Sequence, residues 1–354
     1  MAYTTIDDPT LYFNTKLYTG TGSELAITGV GFQPDWVWSK NRQEAEGHRL
    51  FDSVRGVTKF IRSNNTDAEG TAAQTLKSFD SDGVTIGTDA DMNTSSETNV
   101  LWNWKAGTSF TNDASSTGIG SIDSTGSVSD TAGFSIVSYT GTGSAGTIKH
   151  GLSATANFMI IKNRDAGRSW NVYFGDQTKY IYLNDTAAQA DAGTFIWNNT
   201  APTSSVFSIG TDNAVNQNGE KYIAYVFAEK KGYSKFGSYT GNGNADGTFI
   251  YTGFKPAWTL IKRTDSSTGG SWILFDNKRG TNVINPVDVV MAASNNQSES
   301  DWGTTYDCDY LSNGFKWRMN GSGGYNNISG GTYIYMAFAE NPFTTSTGVP
   351  ATAR

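Results

Sequence analysis

Nucleophilic catalysis needs a base within reach of a serine or cysteine, and this chain has two histidines, His48 and His150, and one cysteine, Cys308. The histidines fall at unrelated places, as surface or turn residues would. Cys308 stands between Asp307 and Asp309, whose charge raises a thiol pKa rather than activating it, so a small core filler is expected. A single cysteine allows no intrachain disulfide, and with two histidines it cannot build a Cys/His zinc cage. Glycoside hydrolysis needs two carboxylates. Glu229 and Glu340 recur at the ends of similar apolar runs but singly, which suits strand-end ion pairs, with Lys162, Lys262, Arg164 and Arg263 as mates. No catalytic residue is assigned, and the chain reads as a non-enzyme.

Asn242, Asn244 and Asp246 place oxygen side chains at every second position before Gly247, like the first half of a calcium loop. Thr252 stands where an EF-hand has its closing acid. Ca2+ at these three residues is the one cofactor the sequence suggests, and turn chemistry alone also accounts for them. Asp80-Ser81-Asp82-Gly83 is a weaker case. Ten tryptophans and 17 tyrosines could stack on sugar rings. Trp36, Trp104, Trp258 and Trp272 lie in alternating strands and read as core. Trp197, Trp302 and Tyr325 stand in polar loops and are the candidate carbohydrate-binding residues, with a core edge or a subunit interface as the other reading of each.

The elements that position these residues are written three times. Tyr18-Thr19-Gly20-Thr21-Gly22 recurs at Tyr139-Thr140-Gly141-Thr142-Gly143 and, with one change, at Tyr239-Thr240-Gly241-Asn242-Gly243. Gly31-Phe32-Gln33-Pro34-Asp35-Trp36 matches Gly253-Phe254-Lys255-Pro256-Ala257-Trp258, the second copy has Gly151-Leu152 at that place, and the three lead to Lys40, Lys262 and Lys162 respectively. Leu50-Phe51-Asp52-Ser53-Val54-Arg55-Gly56 matches Leu274-Phe275-Asp276-Asn277-Lys278-Arg279-Gly280, with a blurred copy at Val172-Tyr173-Phe174-Gly175-Asp176. Each copy closes on an apolar strand, and the copies start about 120 and then about 100 residues apart, the size of a sandwich domain rather than a solenoid repeat. Trp36 and Trp38 share one face of a strand, because side chains two apart point the same way.

Forty glycines, abundant Thr, Ser and Asn, and 13% aromatic against 17% charged residues describe an all-β protein with many turns. The expected fold is three tandem antiparallel β-sandwich units in which first and last strands pair side by side. Unit 1 spans 1–106, a Ser/Thr/Gly-rich linker 107–132, unit 2 133–236, unit 3 237–343, and a tail 344–354 is frayed or used in a contact. An immunoglobulin-like topology lacks its Cys, Trp, Cys framework. A net charge of -7 with scattered cations leaves no basic stripe, so nucleic acid is not an expected ligand. No secretory signal and no membrane-spanning run is seen, and synthesis in a reducing cytoplasm is expected.

These phrases, together with Tyr333-Ile334-Tyr335-Met336-Ala337-Phe338-Ala339-Glu340-Asn341-Pro342-Phe343, resemble a family of repeat-bearing virion proteins of tailed bacteriophages, many of them marine. The likeness covers nearly all of residues 11–343. It implies concanavalin-like jelly-roll units, a place on the virion, recognition of host cell-surface glycan through loops, and no defined catalytic or ligand motif. Other virion proteins and host polysaccharide are the implied partners, and a homo-oligomer, a trimer above all, the implied assembly. The chain reaches its first unit within about ten residues, without the N-terminal shaft many fibres carry, which leaves room for a capsid or tail decoration protein. A polysaccharide depolymerase is the third reading, since concanavalin-like folds include glycanases.

Overall fold

The structure, a computed structural model, describes residues 3–280, 285–301, 307–321 and 325–352. It is all β, with antiparallel sheets and single-turn helices at Ala90–Asn93, Ala114–Thr117 and Asn213–Asn216. Each copy of the repeated phrase begins at the end of an opening strand: Phe13–Thr19, Phe134–Thr140 or Ser234–Thr240. The closing strand of the same copy, Thr98–Trp104, Lys221–Phe227 or Thr332–Pro342, pairs with it in equivalent register, Tyr18 facing Asn99, Tyr139 facing Tyr222 and Tyr239 facing Tyr333. On the other side of each closing strand lies a middle strand, Trp36–Asn41, Phe158–Asn163 or Phe254–Arg263, and beyond it Arg49–Asp52, Asn171–Tyr173 or Ile273–Asp276. The three matching segments therefore occupy equivalent places in equivalent sheets.

Period-2 alternation in these strands serves two cores at once. In Trp36–Asn41 every residue is buried. Trp36 and Trp38 face a central core shared by all three copies, while Val37 faces a core between this sheet and a small outer sheet of Leu25–Thr28, Leu76–Asp80 and Gly83–Ile86. Copies two and three repeat the arrangement, each with its own outer sheet and outer core. On the shared axis the rings that end the closing strands meet, Trp104 to Phe338 at 5.6 Å and Phe227 to Phe338 at 5.9 Å between centroids.

The three copies close into a ring through equivalent junctions. Backbone N–H groups of Glu69, Gln189 and Glu299 donate to the carbonyls of Arg164, Thr264 and Arg42 at 2.8, 2.9 and 2.8 Å, each crossing to the next copy. Ring N–H groups do likewise, Trp170 Nε1 to Arg62 O at 2.9 Å, Trp272 Nε1 to Tyr182 O at 2.8 Å and His48 Nε2 to Ala292 O at 3.1 Å. Two junctions carry buried ion networks. Arg55 Nε binds Asp52 at 2.5 Å and its Nη1 lies 3.3 Å from Glu69, which also pairs with Arg164 of copy two at 2.9 Å. Arg279 pairs in the same way with Asp276 and Glu299, and Glu299 with Arg42 of copy one.

Several expectations are corrected by this packing. Residues 107–132 are not a linker: Thr108–Asn112 and Ser124–Ser129 form two strands that extend the sheet of copy two beyond its opening strand. Of the two fates expected for the tail, frayed or used in a contact, it takes the contact: Ala351 N–H donates to Phe343 O and Ser346 N–H to the Asp7 carboxylate. His48 is no surface residue. It is fully buried at the junction of copies three and one, its Nδ1 accepting from Trp38 Nε1 at 2.8 Å, so it is a neutral imidazole whose pKa burial pushes well down. His150 is also buried, with Nε2 on Thr203 O and Nδ1 accepting from Leu152 N–H. Lys162 and Lys262 are not the mates of Glu229 and Glu340; those are Lys235 at 2.7 Å and Lys255 at 3.2 Å.

Candidate binding surfaces

The extra hairpin of copy two makes a concavity. Its two strands add Thr111 and Thr125 to the sheet in register with Ser138, and paired residues point to one face, so the three hydroxyls form a cross-strand row. Between the strands, the Asp113-capped helix Ala114–Thr117 leads into a loop that reaches the outer sheet, Ser121 N–H donating to Thr147 O at 2.8 Å and Ile122 bridging Ile148. The resulting groove, about 730 Å³ and open to solvent, is lined by this row together with Asn112, Asp113, Asp123, Thr140 and Lys221. Its size lies within the range of small-molecule sites, roughly 300–1,000 Å³. Lys221 and Thr125 are exposed, and Ser138 Oγ accepts from Arg164 Nη1 at 3.4 Å, which ties the groove to the junction of copies one and two. Asp113 is held below the usual carboxylate range by hydrogen bonds from Ser115 and Ser116, and so presents a stable negative charge at the rim.

The residues singled out from sequence are not brought together. Trp197 is fully buried, its Nε1 donating to Lys179 O at 2.9 Å and its ring edge-on to Tyr173, so no ring face is left for a sugar. A tryptophan followed by Asn198-Asn199 looked like a loop tip because those two asparagines, at φ 50° and 46°, turn the chain directly after a core residue. Trp302 lies outside the described residues. Tyr325 is half-buried against the outer core of copy three and borders a cleft of about 50 Å³, with Ser271, Asn295 and Gln297, far too small for a sugar ring.

The oxygens of the suspected calcium loop have partners within the loop and on two neighbouring segments. Asn242 Oδ1 accepts from Asn244 N–H and from Asn327 Nδ2, both at 3.0 Å, Asn244 Oδ1 accepts from Asp246 N–H at 2.9 Å, and Asp246 pairs with Lys316 at 2.5 Å. The contacts of Asn242 with Asn244 N–H and of Asn244 with Asp246 N–H are Asx turns, each side chain bonding the backbone two residues on. Among the described residues no group of three or more His, Cys, Asp or Glu side chains is placed to hold a metal. Cys308 is buried and its thiol pushed well up by burial and Asp309.

Two surfaces escaped the sequence reading. The hydroxyl row did, because its strands lie in the stretch taken for a linker. Exposed aromatics did too: Phe249 and Tyr251 alternate outward on the strand Phe249–Tyr251, and Tyr251 Oη lies 3.4 Å from Tyr3 Oη, with the Lys231 ammonium 4.4 Å from the Tyr3 ring. The signal was the alternation Phe249, Ile250, Tyr251, in which only Ile250 is buried.

Among the described residues no helix is long and apolar enough to cross a membrane. No curated protein matches the chain. Residues 8–342, which take in all three copies and the inserted hairpin, match a family described as a domain of unknown function, and the chain belongs to that family, DUF7483.

Proposed function

We propose that this chain is a surface protein of a tailed-phage virion that acts by binding rather than by turnover, and that it takes host cell-surface glycan into the groove of copy two. The observation that carries the reading is the groove itself, whose Thr111, Thr125 and Ser138 hydroxyls, Asp113 and Asp123 carboxylates and Lys221 ammonium offer donors and acceptors to a polyhydroxylated ligand. The virion setting rests on the resemblance of the repeated phrases to those of tailed-phage surface proteins. Binding without turnover is supported by both histidines and Cys308 being committed to the interior and Glu229 and Glu340 to ion pairs, while of the two groove carboxylates Asp113 is held ionised by Ser115 and Ser116 and so suits no general acid, and Asp123 accepts from Ala114 N–H.

A glycan array and whole-cell binding with the intact chain test this. Saturable binding is expected, weakened at least about tenfold by Thr125→Arg, which fills the groove from an exposed strand position without touching either core. No binding to any glycan or cell, or binding indifferent to that substitution, refutes the groove. Release of reducing sugar identifies a depolymerase instead. A second reading, a capsid or tail cement with no glycan ligand, is favoured by the inward turn of the aromatic residues, since nine tryptophans are among the largest fully buried side chains. In either setting other virion proteins are the neighbours, and a ring with internal threefold repetition suits a symmetric seat on the particle or a homotrimer. Electron microscopy of the particle with this chain located separates shell from tail.

A further inference from the structure

The three outer sheets are built alike, but one of them carries side chains that the other two do without. In each, the first strand, Leu25–Thr28, Gly146–Lys149 or Phe249–Tyr251, turns one isoleucine inward: Ile27 across from Val84, Ile148 across from Phe207, Ile250 across from Phe315. The residues flanking that isoleucine point the other way, toward solvent. Copy one has Ala26 and Thr28 there, copy two Thr147 and Lys149, and copy three Phe249 and Tyr251. The fold thus requires no ring at either position, yet copy three holds two, 43% and 54% exposed. Gly314 faces Tyr251 on the neighbouring strand and has no side chain, so the Phe249 ring leans over bare backbone: a Cβ on Gly314 would lie 3.0 Å from Phe249 Cε2. Polar groups border the rings in matched pairs. Lys316, directly across from Phe249, pairs with Asp246 at 2.5 Å, and Asp309, across from Lys316 on the next strand, pairs with Arg318 at 3.3 Å.

We infer that this face of copy three is a carbohydrate platform, on which the C–H face of an uncharged pyranose stacks against Phe249 and Tyr251 while its hydroxyls bond the Lys316–Asp246 pair and the Tyr251 hydroxyl. Size and charge select this occupant. At the exposures above, two rings of roughly 150–250 Å² each offer about 200 Å² in all, far below the roughly 800 Å² that each partner gives to a stable protein interface. A second copy of the chain or another protein would find too little here, whereas one or two sugar rings would not. The bordering cations and carboxylates neutralise one another, so donors and acceptors are both present with no excess charge to call for a charged ligand. The inference rests on the reading of the chain as a glycan binder for its ligand class, and uses none of the residues of the groove.

The test titrates the intact chain with neutral hexasaccharides of glucose, galactose and mannose, read by saturation-transfer NMR. Saturable transfer to the C–H protons of at least one of them is expected. Phe249→Ala combined with Tyr251→Thr installs the residues copy one uses at the same places, so thermal stability should be unchanged while affinity falls at least about tenfold. Phe249→Tyr keeps a ring and should keep the affinity. The groove variant Thr125→Arg is measured beside them. Affinity that follows Thr125→Arg and ignores the double variant overturns the platform and leaves the groove standing, and affinity that follows the double variant alone supports the platform without the groove. No saturable transfer from the unaltered chain, a loss on Phe249→Tyr as large as that of the double variant, or self-association of the chain that the double variant abolishes each overturns the inference.

Discussion

At the scale of single residues, His48 carries the clearest lesson about what a histidine is for. Aligning Leu50, Val172 and Leu274 places His48 in the same column as Trp170 and Trp272, and all three donate a ring N–H to the neighbouring copy. The column was readable from Gly47-His48-Arg49-Leu50 beside Ser169-Trp170-Asn171-Val172, yet histidine suggests chemistry before it suggests a tryptophan's structural place. His48→Ala leaves a cavity and two unpaired groups, the Trp38 indole N–H and the Ala292 carbonyl, and should cost about 3 kcal/mol of unfolding free energy by urea titration. A loss well under about 1 kcal/mol would show the junction relaxing around the gap.

At the scale of elements, the repeated Tyr-Thr-Gly turn is held by a partner the sequence concealed. Asn93, Asn216 and Asn327 are buried, and the Oδ1 of each accepts the backbone N–H of the turn's fourth residue, Thr21, Thr142 or Asn242. Each Nδ2 reaches two carbonyls, for Asn216 those of Ser144 and Gly210, both at 2.7 Å. Gly141 belongs to the same device: a Cβ there would lie 2.4 Å from Gln217 O, so only glycine fits beneath the crossing chain. Asn216→Ala strands the buried Gly210 carbonyl and the part-buried Thr142 N–H and Ser144 carbonyl, and should destabilise by about 1–3 kcal/mol in thermal or urea unfolding, without change at the groove rim residue Asp113. The clue was present, Gly87-Thr88-Asp89 and Gly210-Thr211-Asp212 each preceding such an asparagine by a fixed step, but copy three lacks the phrase. Strand alternation, the pairing of first with last strands and the threefold repeat were all legible because burial on a sheet face imposes period 2. The hairpin 108–129 was not, because a strand made of Ser, Thr and Gly covers an edge rather than filling a core, and so leaves no apolar pattern. The groove shared its fate.

At the scale of the whole molecule, the ring is closed three times but not by the same chemistry. Where copies one and three have Asp52 and Asp276, accepting from Tyr225 Oη at 2.8 Å and Trp102 Nε1 at 2.9 Å, copy two has Phe174 packed on the central core, and the residue of copy three equivalent to those donors is Met336. Charge and apolar partner have been exchanged together, which leaves no buried carboxylate unpaired at the third junction. What all three copies keep is a buried lysine satisfied by backbone carbonyls: Lys40 by Asn41 and Glu44, Lys162 by Asn163 and by Thr66 of copy one, Lys262 by Gly270 and by Asp185 of copy two. Burial pushes these ammoniums down, Lys40 and Lys162 to about 8 and Lys262 to about 7, against the pull of Glu46, Asp67 and Asp185. An unfolded lysine titrates near 10.4, so between pH 7 and about 10 the unfolded chain binds more protons than the folded one, and the free energy of unfolding rises with pH. Below about pH 7 both states hold the lysine protons and this contribution is flat, while His48 and His150, kept neutral by burial, add a further loss as pH falls through about 6.5. Buried tyrosines such as Tyr225, with raised pKa values, reverse the trend only above about pH 10. Urea unfolding should therefore give a larger free energy at pH 9 than at pH 7, and Lys262→Met should shrink that difference. A stability that is level or falling over this interval would mean the three ammoniums keep their protons at ordinary affinity, held by their carbonyls as well as water would hold them.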